Sequence, residues 1–323
     1  MSELSIPLLL YSGERKNANF SYFSGVDAKL YDYSFLLVEG KKRTLIVSEM
    51  NEMVARNEFK GTVCVYWDLK KKLKEILRGR RIGVDESSLS VREYRRIRRY
   101  CKPKDVSEEL LRIRAKKKPE ELSRIKKAVE LSKKIINSVD FGKCKKEEEV
   151  AKYLLRETAE LGLEPAFTPI VASGPHTAFP HYLPREYKLQ KSVLIDYGIK
   201  YRGYCGDITR MVMLEKGPWV EDYELVKQIT HEIVDFVSEA ENSGEVSKFA
   251  QKLYVKYKLP KLPHAIGHGI GLDVHEFPGF GMKGEHELKN TAFTIEPGIY
   301  RKNWGVRFEE CVYFDGKKAS VLS

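Results

Sequence analysis

Two aspartates set into apolar strands constrain this chain more than any other feature. In "VLIDYGIKYRGYCGDITRMV" (193–212), Asp196 ends one apolar run, a turn lies around Lys200 to Gly203, and Asp207 follows in the returning run, eleven residues on. A hairpin can set two such carboxylates side by side. Carboxylates that close repel one another unless a proton or a cation sits between them. Either aspartate alone reads as a surface or turn residue. Two together, embedded in apolar strands, favour a cation.

Later segments supply matching groups. Glu296 lies in "AFTIEPGIY", a run stopped by Pro297 and Gly298, and Glu309 lies in "GVRFEECVYF". A glutamate buried in such surroundings is rare unless paired or metal-bound. Glu310 points to the opposite side of a strand from Glu309, so only one of them faces the site. The stretch "HAIGHGIGLDVHE" (264–276) gathers three of the seven histidines. It is not a helical zinc motif: HExxH is absent, and Gly267, Gly269 and Gly271 would each cost about 1 kcal/mol in a helix interior. An extended loop or strand is expected. Adding His268 makes four carboxylates and one imidazole, a set suited to two divalent ions sharing bridging oxygens. Manganese, iron, cobalt and zinc are all admissible, and magnesium suits the imidazole less well.

Around this set the chain divides. Residues 1 to about 112 alternate short apolar runs ("YSFLLVEG", "RTLIVS", "GTVCVYW", "RIGVD") with charged, helix-like segments, the pattern of a small α/β domain. Pro119, followed by Glu120 and Glu121, starts a helix whose Leu122, Ile125, Val129, Ile135 and Ile136 form one stripe. A second helix spans about 146–162 and ends at Gly162. Glycine-punctuated strands follow, then helices at about 219–240 and 244–257, then strands again. This order of helices and strands hints at two similar halves.

The chain of 323 residues carries 57 basic and 46 acidic side chains, a net +11. The basic residues lie among acids, as in "KKPEELSRIKKAVELSKK", a solvated ion-pair face more often than a nucleic-acid surface. The densest basic stretch, "REYRRIRRYCKPK" at 92–104, has no nucleic-acid-binding signature beside it. No apolar run approaches the roughly 20 residues that span a bilayer, and no leader is evident. The five scattered cysteines form no CxxC pair and read as reduced, structural thiols. A cytoplasmic protein is expected, with neither membrane nor nucleic acid as partner.

The ordered set "IDYGIKYRGYCGDITR", "HAIGHGIGLDVHE", "TIEPGIY" and "GVRFEE" resembles the pita-bread metallopeptidases, in particular their proline-specific branch of Xaa-Pro dipeptidases (prolidases) and Xaa-Pro aminopeptidases. Nearly the whole chain shares the likeness, since "NFSYFSGVDA", "RIGVDESSLSVREY" and "KKPEELSRIKKA" are similar to the branch's N-terminal domain and linker. The resemblance implies an α+β protein: a small creatinase/prolidase-like α/β domain over 1–113, then a pita-bread catalytic domain over 114–323 with a curved antiparallel sheet flanked by helices. It implies two divalent ions per subunit on Asp196, Asp207, His268, Glu296 and Glu309, Asp207 and Glu309 bridging both. A metal-bridging hydroxide would attack the scissile carbonyl, and Glu296 would shuttle the proton toward the leaving amine. His181, in "SGPHTAFPHY", would contact the reacting carbonyl, His275 would hydrogen-bond the substrate, and His264 would line the proline pocket. Glycines among these would let backbone and substrate approach closely. His176 is left as a surface or loop residue.

Arg307 has two readings, a clamp for a substrate carboxylate or an ion pair with Glu310 or another acid. The second arginine that many prolidases carry after the "HE" is absent from "HEFPGFGMKGEHELKN", where Lys283 or His286 are the candidate replacements. The resemblance therefore implies an Xaa-Pro dipeptidase acting on small peptides, with an Xaa-Pro aminopeptidase of short peptides as the alternative and a non-catalytic nucleic-acid- or protein-binding pita-bread module as a third. It also implies a homodimer.

Overall fold

Strands buried on both faces read as unbroken apolar runs, and "LLLY" at residues 8–11 behaves this way in the computed structural model, which describes residues 5–14 and 17–322. The chain divides into two compact units, Met1–Ile113 and Arg114–Ser323. In the first, β1 (Leu8–Ser12), β2 (Ser34–Glu39), β3 (Lys42–Ser48), β4 (Thr62–Tyr66), β5 (Arg81–Val84) and β6 (Lys102–Asp105) form one mixed sheet in the order β4-β3-β2-β1-β5-β6. Alternation along β1 sends Leu8 and Leu10 to one core and Leu9 and Tyr11 to the other. Helices α1 (Ala18–Ser24), α2 (Glu52–Glu58) and α5 (Ser107–Ala115) cover the first face, while α3 (Leu69–Leu77) and α4 (Val91–Arg98) cover the second. Asn17 caps α1 by accepting from the Asn19 and Phe20 amides, and Ser90 and Glu93 form a capping box on α4.

The second unit is built twice over. Helices α6 (Pro119–Asn137) and α7 (Glu147–Glu160) have 19 and 14 residues, and α8 (Pro218–Phe236) and α9 (Ser243–Lys256) have the same two lengths, with a proline opening each longer helix. Ile125, Val129 and Val150 pack the first pair against Val193, Ile195 and Ile208, and Ile229, Ile233 and Val246 pack the second against Phe293, Ile295 and Val312. On the outer faces of α6 and α7, Lys127–Glu130, Lys152–Glu148 and Arg156–Glu160 are the expected ion pairs.

Strands β7 (Glu164–Pro165), β10 (Ile199–Tyr201) and β11 (Tyr204–Cys205) form one small sheet, and β8 (Ile170–Ser173), β9 (Ser192–Tyr197) and β12 (Ile208–Met213) another. Arg202 and Gly203, with φ of +48° and +85°, form the two-residue turn between β10 and β11. That left-handed pair suits the right-handed twist of a hairpin, and it reverses the chain between Asp196 and Asp207. The other half has β13 (His268–Gly269), β14 (Glu276–Gly279), β15 (Thr291–Ile295), β18 (Glu310–Phe314) and β19 (Ala319–Val321) in one antiparallel sheet, with β16 (Gly298–Tyr300) and β17 (Gly305–Arg307) as a separate ribbon. The architecture is the expected α/β unit followed by antiparallel sheets flanked by helices. Among the described residues no helix is long and apolar enough to cross a membrane. The cysteines are all free, and every one but Cys64 is buried.

Candidate metal centre

The duplicated plan brings the carboxylates to equivalent places. Asp196 lies near the end of β9 and Asp207 just before β12, with Asp196 opposite Thr209 in the register. In the other half, Glu296 follows β15 and Glu309 precedes β18, and the pairing of Ile295 with Glu310 puts the two one step beyond the ladder. One ligand atom each from Asp207, His268 and Glu309 lies within 4.8 Å of the other two. His268 Nε2 is 3.5 Å from Asp207 Oδ2 and 3.7 Å from Glu296 Oε1. His268 comes from β13, where the glycines serve the protein's own backbone: a Cβ on Gly267 would lie 1.9 Å from the Thr294 carbonyl oxygen, and one on Gly269 would lie 2.2 Å from that of Phe277.

The electrostatics of this cluster are unbalanced. Burial raises the carboxyls of Asp207 and Glu309 well above the ordinary range, and their acidic neighbours push them further. Burial raises Asp196 against the pull of Arg307, and raises Glu296 to about 7. Burial, aided by His275, holds His268 down at about 4, so its imidazole is neutral. Its Nδ1 faces the Gly269 carbonyl at 3.2 Å and therefore carries the proton, which leaves a lone pair on Nε2 facing the carboxylates. Asp196 Oδ1 is buried with no hydrogen-bond partner in the protein. Four carboxyl groups and the lone pair of a neutral imidazole are thus gathered in one buried place, where like charges oppose full ionisation. The chemistry of this donor set, imidazole nitrogen with carboxylate oxygens, fits transition-type divalent metal ions.

Other residues singled out from the sequence stand around the cluster. The His275 ring lies 4.2 Å from that of His268 between centroids, and burial lowers its pKa. His264 is held near 4 by burial; its Nδ1 donates to the Ala265 carbonyl, and its Nε2 is 2.9 Å from the Tyr300 hydroxyl. His181 is exposed, in the connection between β8 and β9, where a proton on its ring would be felt by Asp196, His264 and His275.

Arg307 takes the second of its two readings. It is buried, and its Nη2 donates to Asp196 Oδ2 at 2.6 Å, while Nε donates to Thr209 Oγ1 and Nη1 to the Pro180 carbonyl and Tyr300 hydroxyl. With its fork so engaged, the guanidinium holds the Asp196 carboxylate in one orientation. Glu310 does turn away from Glu309, and its partner is Arg210, at 2.8 Å. His286 packs its ring on Phe277, 4.2 Å between centroids, and Lys283 is exposed. His176 lies in the connection between β8 and β9, in keeping with the loop alternative, but it is part-buried and not a surface residue: its Nδ1 is 2.9 Å from a fully buried Glu147, because a carboxylate in the interior requires donors around it.

Residues 123–315 match the model of metallopeptidase family M24, and residues 1–116 match the creatinase/prolidase N-terminal domain. The chain belongs to metallopeptidase family M24. It is 31% identical over 328 residues to an Xaa-Pro dipeptidase of Pyrococcus furiosus, covering 95% of this chain and 91% of that one. Among solved structures, the prolidase from Pyrococcus furiosus superposes with a TM-score of 0.88 at 27% identity, covering 98% of this chain and 95% of that one. An X-Pro aminopeptidase from Thermotoga maritima gives 0.87 at 27% identity, covering 99% and 96%. This M24 peptidase thus sits in the pita-bread prolidase branch that its motifs resemble.

Three polar side chains of this M24 site escaped the sequence reading. Thr209 Oγ1 donates to Glu309 Oε2 at 2.9 Å while accepting from Arg307. Thr294 Oγ1 accepts from the His268 amide at 3.2 Å. The Tyr300 hydroxyl links His264 with Arg307. Strand alternation was the available signal for Thr209, which lies two residues after Asp207 and so on the same face.

Proposed function

We propose that this chain is a two-metal Xaa-Pro dipeptidase. The observation that carries the reading is the neutral His268 Nε2 facing the carboxylates of Asp207 and Glu296, beside a buried Asp196 whose Oδ1 has no hydrogen-bond partner. Asp196, Asp207, His268, Glu296 and Glu309 would hold two divalent ions, manganese, cobalt, zinc or iron. Bound there, the ions would supply Lewis acidity at the scissile carbonyl and an acidified water. Arg307 and Thr209 orient Asp196 and Glu309 for that task. An Xaa-Pro bond is a tertiary amide, so its nitrogen must be protonated as it leaves. Glu296, at the edge of the cluster beside His264, carries that proton. His181 and His275 hydrogen-bond the carbonyl and backbone of the substrate, and His264 with Tyr300 lines the proline pocket. Support for these roles comes from the arrangement of the side chains and from the dipeptidase of Pyrococcus furiosus that the chain resembles.

An Xaa-Pro aminopeptidase is the second reading, favoured by two observations. Arg307 is committed to Asp196, and the Thermotoga maritima aminopeptidase fits the fold as well as the prolidase does. The same proposal makes residues 1–113 and 114–323 separate domains of a cytoplasmic homodimer. The free cysteines support the compartment, and the family resemblance supports the dimer.

The test is hydrolysis of Met-Pro by metal-stripped protein with manganese, cobalt, zinc or iron restored in turn, beside an Asp207→Ala control. Metal-dependent cleavage lost in the control supports the dipeptidase. Cleavage of Ala-Pro-Ala but not Ala-Pro selects the aminopeptidase. No cleavage of either by folded protein under any ion rejects both.

A further inference from the structure

His181 sits in a long connection between β8 and β9 whose regular structure is a short 3-10 turn over Gly174–Ala178. A catalytic side chain on such a segment needs its neighbours fixed by something other than a backbone ladder. Two independent anchors flank it. On one side, Arg307 Nη1 donates to the Pro180 carbonyl at 3.1 Å, and the Gly305 amide donates to Thr177 Oγ1 at 2.8 Å. On the other side, Tyr182 is tied to Glu147, the first residue of α7 and fully buried.

Glu147 is the hub of this second anchor. Its Oε1 accepts from the Ser173 amide at 2.7 Å and from His176 Nδ1 at 2.9 Å; its Oε2 accepts from the Tyr182 hydroxyl at 2.9 Å and the Arg185 amide at 3.2 Å. Ser173, His176, Tyr182 and Arg185 bracket residue 181 on both sides. A carboxylate oxygen offers only lone pairs, so His176 Nδ1 carries its proton, and the Tyr182 hydroxyl, 2.7 Å from that nitrogen, directs its own proton to Glu147. Burial and Glu147 raise the Tyr182 phenol, in keeping with a donor. The His176 ring also packs on Tyr182 and Tyr187, at 4.7 and 4.1 Å between centroids. Backbone bonds from the Glu147 amide to the Tyr187 carbonyl and from the Glu148 amide to that of Arg185 complete the clasp. The metal cluster uses none of these groups.

We propose that Glu147, His176 and Tyr182 are positioning residues that hold residues 173–185 and thereby aim His181 at the substrate carbonyl. The proposal rests on the peptidase reading above for the role of His181, though the anchor itself does not.

The test pairs kinetics with hydrogen exchange on the full, metal-loaded chain. Tyr182→Phe and His176→Leu each remove donors but leave the buried carboxylate, and each is expected to lower kcat on the better of Ala-Pro and Ala-Pro-Ala by about 5- to 10-fold. KM should change less than twofold. His176→Asn, whose amide nitrogen can replace Nδ1, should restore most of the loss. In a His181→Ala background the same substitutions should cost almost nothing further, since the effect passes through His181. A full additional loss in that background overturns the proposal, as does undiminished kcat in both single variants. Deuterium exchange over residues 173–185 should accelerate in both variants. Acceleration in a protein that cleaves no Xaa-Pro peptide would support the anchor and count against the functional reading alone. Unchanged exchange would overturn the anchor.

Discussion

Arg307 Nη2 donates to Asp196 Oδ2 at 2.6 Å, with the guanidinium buried and the carboxylate part-buried. The bond ties β17 to β9, and the same guanidinium reaches Thr209 on β12. A cation in that position offsets part of the charge on four converging carboxylates and holds one of them in a single orientation.

Replacing Arg307 by lysine keeps the charge but loses the fork that spans Asp196, Thr209, Pro180 and Tyr300. Arg307→Lys is expected to lose about 10- to 100-fold in metal affinity or kcat/KM, the usual cost of disturbing a group that orients a ligand. Metal titration by calorimetry, alongside kinetics at saturating metal, measures the two separately. Wild-type values in both would refute the orienting role.

Thr209 connects Arg307 to Glu309 through one hydroxyl. Thr209→Val keeps the shape and removes both bonds, so Glu309 loses its donor. A loss of about 10-fold or more in metal affinity is expected, whereas Thr209→Ser should stay near wild type. Equal behaviour of the serine and valine variants would show that the hydroxyl is idle.

The metal-free protein should weaken as pH rises. Asp196, Asp207, Glu296 and Glu309 all have carboxyls raised on folding, so the folded chain binds protons that the unfolded chain has released. Their contribution is present below about pH 4, the unfolded value, and is lost as pH climbs through the folded values, about 7 for Glu296. Thermal unfolding of metal-stripped protein should therefore shift downward between pH 5 and pH 7 relative to protein with manganese added, about which the carboxylates can stay charged. Asp207→Asn should raise the metal-free midpoint at pH 7 and abolish the response to metal. An equal pH slope with and without manganese would count against a cation site here.

Glu276 follows His275 and is buried with two cations, its carboxylate accepting from Arg114 and from Lys117 Nζ at 3.0 Å. Arg114 also pairs with Asp273 at 2.8 Å, so the segment before α6 grips the turn that carries His275. Removing one partner from such a group leaves buried charge uncompensated, and Glu276→Ala should destabilise the fold by about 3–5 kcal/mol. For a unit of this size that is a fall of about 10 °C in midpoint. Burial alone would raise the Glu276 carboxyl, but Lys117 and Arg114 outweigh it and lower it. Its stabilising contribution is therefore complete above the unfolded value of about 4.3 and fades as pH drops through the lower folded value. A midpoint within 2 °C of wild type in Glu276→Ala would reject the account.

What could be read from the sequence was whatever depends on short range. The buried β1 shows as an apolar run because both its faces are covered, the start of α6 shows in Pro119 and the acids after it, and Asp196 and Asp207 betray themselves as charges in apolar runs on either side of a turn. Their kinship with Glu296, Glu309 and His268 was legible for a different reason, since the ordered motifs resemble a known family. Partnerships between distant segments were not legible. Arg307 chooses Asp196 across 111 positions and Arg114 meets Glu276 across 162, while Glu147 reaches His176 and Tyr182 from the start of another helix. A side-chain type states which bonds it can make. Only the packing of sheets and helices decides which donor arrives, because burial removes water as the alternative partner and makes that one encounter obligatory.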